Sequence, residues 1–276
     1  MILVPVIAVL VLMSMVMAAG WGIVVRTRNA GWTDVFWTFG TGAIGVACAL
    51  IPLAGQSWPG PRQALVAVLV AIWALRLGLY IALRVTTSAE DARYVSLRQQ
   101  WGEGFNGKAF WFLQAQAPAT ALLCLSILVA ARRPFPTALR LEDVVGAAIL
   151  AVAIIGETLA DRQMRRFKAD PANHGRVIDT GLWGWSRHPN YFFEWLGWLA
   201  YPVMAIDLTG AYPAGWLALA GPAFMYLILT RLTGVPPLEA AMLRSKGEAY
   251  RAYQARTSAF TPFPPSSRPP SRRKPA

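Results

Sequence analysis

Arg187, His188, Asn190 and Glu194 fall within eight residues of the segment GLWGWSRHPNYFFEWLGW (181–198), among four tryptophans and two phenylalanines. Positions 187–190 supply a guanidinium, a titratable ring and an amide, with Tyr191 beside them. Pro189 suits the first turn of a helix, whose free N–H groups beside an arginine make an anion site fit for phosphate. Asn190 and Glu194 stand one turn apart on the same face of that helix. A second set, Glu157, Asp161, Arg165 and Lys168, recurs at spacings of four, four and three, again one helical face. Opposite charges at that spacing also neutralise one another, which is a sufficient reason for Asp161 and Arg165. Glu157 lies deeper, near the end of an apolar run. Arg176 precedes the tryptophan-rich segment. Farther on come Arg231, Glu239, Arg244, Tyr250, Tyr253 and Arg256, a set that an interfacial amphipathic helix would also show. Arg76 sits deep in WALRLGLYIALR, with Trp73 and Tyr80 a turn to either side, and calls for a partner; Glu157 and Glu194 are the deep carboxylates available. An interfacial aromatic belt accounts for Trp183, Trp185 and Trp195, and snorkelling accounts for Arg187. Neither explains His188, Asn190 and Glu194 together, since each buried ionisable group costs about 2.5–3.5 kcal/mol in a membrane helix.

The elements that must position these residues are apolar helices. Of 276 residues, 55% are hydrophobic and 14% charged, against roughly 25% charged in soluble domains, and the mean hydropathy is +0.41. Seven apolar stretches approach the roughly 20 residues a membrane-crossing helix needs: about 3–25, 33–55, 63–85, 109–131, 143–163, 190–206 and 212–232. The first lacks a basic start and is longer than a signal-peptide core, so a retained anchor is expected. Cys48 and Cys124 each lie inside an apolar stretch and read as packing residues; no metal site is expected. The net charge of +12 follows topology rather than nucleic acid. With seven spans, 21 of the 26 basic residues fall on one side and four on the other, which puts the N-terminus outside and the C-terminus in the cytoplasm. The expected location is a bacterial-type inner membrane, multi-pass, with a monomer in the lipid bilayer. Two longer connections lie on the cytoplasmic side: 86–108, with a short helix from Glu90 to Trp101, and 161–189, which continues the fifth helix. Residues 236–254 read as helical after Pro236 and Pro237. The chain is thus an all-α polytopic membrane protein with one domain over 1–261 and a disordered Pro/Arg-rich tail over 262–276.

The segment GLWGWSRHPNYFFEWLGWLAY, with the later GEAYRAYQARTSAFTPFPP, resembles the DUF1295 membrane proteins, which are grouped with the steroid 5-alpha-reductase C-terminal superfamily. The resemblance covers roughly residues 60–265, the first two spans matching only in hydrophobicity. It implies about seven transmembrane helices around a cofactor and substrate cavity open to the cytoplasm. There NADPH reduces an activated carbon–carbon double bond of a lipophilic substrate. Position by position, it implies that Asp161, Arg165, Lys168 and Arg176 lie near the adenosine and phosphate end of the cofactor. Asn190 matches a cofactor-contacting asparagine and Glu194 a glutamate of the same helix. Arg231 matches an arginine and Tyr253 a tyrosine of the pattern; Arg187, His188, Tyr191 and Tyr250 join them as cofactor-binding candidates. The steroid reductases bind and protonate their enone through an adjacent Gln-Glu pair and a tyrosine. In this chain Gln56 is followed by Ser57, and Trp73 takes the tyrosine's place, so steroid 4-ene reduction is not implied; Tyr80, Glu157 or Glu194 stands as the candidate acid. The same Arg-His-Pro-Asn-Tyr element also resembles the isoprenylcysteine and phospholipid methyltransferases. These hold S-adenosylmethionine there, with Glu239 matching part of their C-terminal pattern and Ala240 standing where a second glutamate belongs. S-adenosylmethionine is therefore the alternative cofactor, and a non-enzymatic lipid-binding or transport protein the third reading.

Overall fold

Prolines decide where several of the apolar stretches break. A proline has no N–H for the carbonyl four residues earlier, and its ring crowds that carbonyl. Pro118 stands four residues after Gln114, Pro202 four after Trp198 and Pro222 four after Ala218, and at each of these places a helix ends or tightens. The computed structural model describes residues 2–53, 55, 58–134 and 138–265. In chain order its helices are α1 (Leu3–Thr27), α2 (Trp32–Leu50), α3 (Pro61–Thr87), α4 (Ala92–Trp101), α5 (Phe105–Gln114) and α6 (Gln116–Ala131). There follow α7 (Leu141–Ala169), α8 (Leu182–Trp185), α9 (Pro189–Trp198), α10 (Ala200–Ala205), α11 (Ala220–Leu227) and α12 (Val235–Arg256). Among the described residues there is no strand; Ser186 and Ser258 form an isolated parallel bridge.

Six segments are long and apolar enough to cross a membrane: Leu3–Thr27, Trp32–Leu50, Pro61–Thr87, Arg93–Ala131, Leu141–Ala169 and Pro213–Arg256. The protein is a multi-pass, all-helical membrane protein. The fourth is α4, α5 and α6 in series, α5 and α6 stepping at Ala115 ahead of Pro118. The sixth apolar stretch, 190–206, is divided by Pro202 into α9 and α10, of 10 and 6 residues. The apolar part of the last segment ends near Leu232. Beyond it α12 carries Glu239, Arg244, Lys246, Glu248, Arg251 and Arg256 and lies outside the membrane-spanning part. Gly247 interrupts α12 with a φ of 51°. The expected helix at 90–101 is α4, its start fixed by Asp91, whose side chain accepts from the Arg93 N–H at 3.0 Å.

The chain divides into two units. The first is Met1–Leu150 with Trp198–Phe224. Its core joins Met13 and Met17 of α1 to Ile44 and Cys48 of α2 and to Cys124 and Leu128 of α6. Trp73 of α3 is buried edge-on between Trp37 (6.3 Å) and Trp198 (5.1 Å). The carbonyl of Ala218 that Pro222 leaves unbonded accepts from Ser126 Oγ at 2.7 Å, and that oxygen accepts in turn from the Gly221 N–H at 2.8 Å. Charged groups collect at the two ends of α3. At its start Arg62 binds Asp143 through two 2.8 Å bonds, and the buried Arg133 reaches the Met204 carbonyl, Glu142 and Asp207. At its other end Arg84 and Arg93 meet Asp34 and Asp91, and Arg98 meets Glu90. This grouping follows the partition of basic residues that the sequence implies. The second unit, Ala151–Gly197 with Met225–Ala276, carries the candidate site.

Candidate functional site

The second unit is built on the later part of α7. Glu157 and Asp161 are buried there, 6% and 5% exposed, while Arg165 and Lys168 on the same face are exposed. The face therefore runs from buried carboxylates to solvent-facing cations as α7 leaves its apolar part. α9 crosses α7 at Gly156, where an added Cβ would stand 2.4 Å from the Phe193 ring. Only glycine permits that approach. It sets Glu157 and Glu194, each the next residue along its helix, beside this contact; Glu194 is 8% exposed. α8 also rests on α7, because Trp183 Nε1 donates to the Ala160 carbonyl at 3.0 Å and Gln163 Oε1 accepts from the Leu182 N–H at 3.0 Å.

The segment between α8 and α9 is clamped by the chain that follows α12. The Arg187 N–H donates to the Ser258 carbonyl at 2.8 Å, Ser186 Oγ to the Phe260 carbonyl at 2.7 Å, and the Phe263 N–H to the Trp185 carbonyl at 3.0 Å. The Tyr253 hydroxyl donates to the Trp183 carbonyl. Phe260 closes the clamp against Phe192, Trp195 and Tyr226, with centroids 5.5–5.9 Å apart. Of the tail expected to be disordered, Phe263 is thus held in place, and 266–276 lie outside the described residues.

Glu239 of α12 is the hub of the cluster. Its Oε1 accepts from Arg187 Nε at 2.6 Å, His188 Nε2 at 3.2 Å and the Tyr250 hydroxyl at 3.4 Å; its Oε2 accepts from Gln254 Nε2 at 2.9 Å. Burial raises the pKa of this carboxyl, but the donors from His188 and Arg187 and the Arg187 charge outweigh it and hold the group at about 2. Arg187 also donates to the carbonyls of Gln254 and Thr257. Its charge is matched inside the protein. His188 is 2% exposed, burial pushes its pKa down, and its ring stacks on Tyr191 at 5.6 Å and 10°. Its Nδ1 is buried without a hydrogen-bond partner among the described residues.

The family described as "Protein of unknown function (DUF1295)" matches residues 20–257. The chain belongs to the DUF1295 family. A similar protein is the uncharacterized C594.04c of Schizosaccharomyces pombe, 27% identical over 268 residues, which cover 88% of this chain and 75% of that one. No solved structure matches. The DUF1295 match reaches back to residue 20, so it takes in the end of α1 and all of α2, where the sequence alone shows only a likeness in hydrophobicity.

Within this DUF1295 chain the sequence candidates fall into two groups, with Arg231 and Tyr80 described apart from them. Arg187, His188, Tyr191, Tyr250 and Tyr253 come together around Glu239 and the clamp. Glu157, Asp161 and Glu194 are buried on α7 and α9, with Asn190 half-buried and Arg165 and Lys168 exposed near the end of α7; Arg176 is exposed beyond it. Arg231 is exposed in the π-helical turn Ile228–Leu232. Tyr80 lies on α3 in the first unit, beneath the Arg76 guanidinium at 5.6 Å. Gln56 and Ser57 lie outside the described residues. Gln254 is the member of the cluster that the sequence did not single out; Glu239 stood in the C-terminal set and in the likeness to methyltransferases, but not among the cofactor-binding candidates. For Glu239 one signal existed: it is the sole carboxylate between Asp207 and Glu248.

Proposed function

We propose that this protein is a membrane-embedded, NADPH-dependent reductase of a carbon–carbon double bond in a lipophilic substrate. The observation that carries the reading is the gradient on α7 and α9: three buried carboxylates, Glu157, Asp161 and Glu194, followed along α7 by exposed cations. A dinucleotide has the complementary gradient. Its carboxamide and ribose hydroxyls donate to carboxylates, and its phosphates suit arginine and lysine. Arg165, Lys168 and Arg176 would hold the phosphates, Asp161 a ribose, and Asn190 with Glu194 the carboxamide end. When bound, NADPH supplies hydride to one carbon of the double bond. The protein would exclude water with the aromatic residues of α9 and hold a proton at the Glu157 or Glu194 carboxyl for the neighbouring carbon. The basic-residue partition supports a cytoplasmic location for this end, where NADPH is available, and an outside N-terminus. We read the chain as a monomer in a bacterial-type inner membrane.

One observation favours a second reading. Arg187 and His188 both bind Glu239, as the likeness to S-adenosylmethionine-dependent methyltransferases would have it. S-adenosylmethionine has no phosphate, so it leaves the cations of α7 without a role. Thermal melting of the purified protein in nanodiscs separates the two. NADPH should raise Tm, and K168A with R176A should weaken that effect at least tenfold. A rise with S-adenosylmethionine and none with NADPH sinks the reductase reading.

A further inference from the structure

A buried ring nitrogen without a partner is rare, because leaving it unbonded costs the full desolvation of a polar atom. His188 has such an atom on one side and a carboxylate on the other. Glu239, held ionised by Arg187, only accepts hydrogen bonds, so the 3.2 Å contact requires that Nε2 carry the proton. In a neutral imidazole the other nitrogen is then a bare acceptor, and Nδ1 is the unpartnered atom. Turning the ring over would keep its stacking on Tyr191 but would give up the Glu239 bond. The cluster has no net charge to offer a phosphate: Arg187 and Glu239 cancel, and His188 is neutral.

We propose that His188 is a positioning residue whose Nδ1 accepts a hydrogen bond from an N–H or O–H group of the bound ligand, and that the Arg187–His188–Glu239 junction binds the ligand's neutral, donor-bearing part rather than its phosphates. This rests on the cofactor reading above and deepens it. It reassigns Arg187 from phosphate binding to fixing the carboxylate that sets the His188 tautomer. The phosphates are left to the cations at the end of α7. A carboxamide, an amine or a ribose hydroxyl has the required donor; a phosphodiester anion such as dimethyl phosphate does not.

The chain has two histidines, so His174→Gln, in an exposed turn, leaves His188 as the single imidazole. Histidine labelled with nitrogen-15 in that variant, in nanodiscs at pH 7, should show a protonated Nε2 and an unprotonated Nδ1. NADPH should shift the Nδ1 resonance in the direction of an accepted hydrogen bond, and dimethyl phosphate should leave it in place. An Nδ1–H tautomer or an imidazolium in the free protein overturns the proposal, as does a change at Nδ1 induced by dimethyl phosphate. If NADPH raises Tm but leaves Nδ1 unmoved, the proposal fails while the reductase reading stands. If S-adenosylmethionine alone moves Nδ1, the proposal stands and the reductase reading fails. No response to either ligand overturns it. As a functional check, His188→Phe should weaken binding of the responding ligand about five- to tenfold. His188→Asn, whose amide oxygen can reach the Nδ1 position, should recover most of that loss. If Asn and Phe weaken binding equally, the role of His188 is structural.

Discussion

Replacing Glu239 with leucine should be among the most damaging single changes in the second unit, and its damage should be largely recovered when Arg187 is removed with it. The Arg187 and Glu239 side chains are 10% and 16% exposed, so solvent screens the pair little. E239L leaves the guanidinium with carbonyl partners alone and takes the acceptor from His188 Nε2 and Gln254 Nε2. Breaking a buried pair from one side costs about 3–5 kcal/mol. R187M leaves the carboxylate with His188, Gln254 and Tyr250, three of its four donors, and should cost less, about 1.5–3 kcal/mol. The double variant removes both charges, so its cost should fall short of the sum by about 2–3 kcal/mol, the range of coupling seen for groups in one network. At roughly 2–4 °C per kcal/mol, E239L should lower Tm by about 10 °C. The assay is reversible unfolding of wild type, R187M, E239L and R187M/E239L in the same lipid nanodisc at pH 7 and low salt. Additivity of the two single variants to within about 0.5 kcal/mol, or an E239L melt indistinguishable from wild type, would refute the claim that the pair holds the junction.

Two further outcomes follow from the same geometry. Gly156→Leu should destabilise the protein by at least about 1–3 kcal/mol, because even a Cβ at 156 meets the Phe193 ring at 2.4 Å; Gly156→Leu with Phe193→Ala should recover part of it in the melting assay, and no recovery would mean that α7 and α9 do not cross there. Stability should also fall on the acid side in two steps. The folded pKa of His188 lies below its ordinary 6.5, so the unfolded chain takes up a proton that the folded one refuses, and stability drops as pH falls through 6.5. Glu239 goes from an ordinary 4.5 to about 2 on folding, so its contribution, complete above 4.5, drains away between 4.5 and 2. Tm against pH should show both declines, with the upper one absent in His188→Gln; a Tm that rises between pH 7 and 5.5 contradicts the neutral His188.

The membrane-crossing character, the position of most helices and the division of basic residues between two ends were legible because each is a local or cumulative property. Hydropathy adds up over about 20 residues, and Asp91 caps α4 from the adjacent position. The breaks inside the fourth and sixth apolar stretches left a local signal as well, in Pro118 and Pro202. A hydropathy window averages across such a proline, so 109–131 and 190–206 read as continuous spans. Pro222 could not have been read in the same way, since what makes its break tolerable is Ser126, 92 residues before the Ala218 carbonyl it satisfies.

The site divides along the same line. The face of Glu157, Asp161, Arg165 and Lys168 follows from spacing alone, and its grading from buried to exposed follows from where the apolar run ends. The electrostatic character of the junction does not. Read locally, Arg187 and His188 beside a helix start are a cationic, phosphate-seeking pair. Glu239, 52 residues away in sequence from Arg187, reverses that by matching one charge and fixing the other group as neutral. The reversal also makes sense of the aromatic surroundings. A net positive pair among Trp183, Phe192, Trp195 and Phe260 would be costly to desolvate, whereas a compensated pair and a neutral ring tolerate apolar neighbours. The clamp formed by Ser258, Phe260 and Phe263 is then more than a tether. By fixing Trp185, Ser186 and Arg187 it also fixes the place of His188, whose Nδ1 is buried without a hydrogen-bond partner among the described residues.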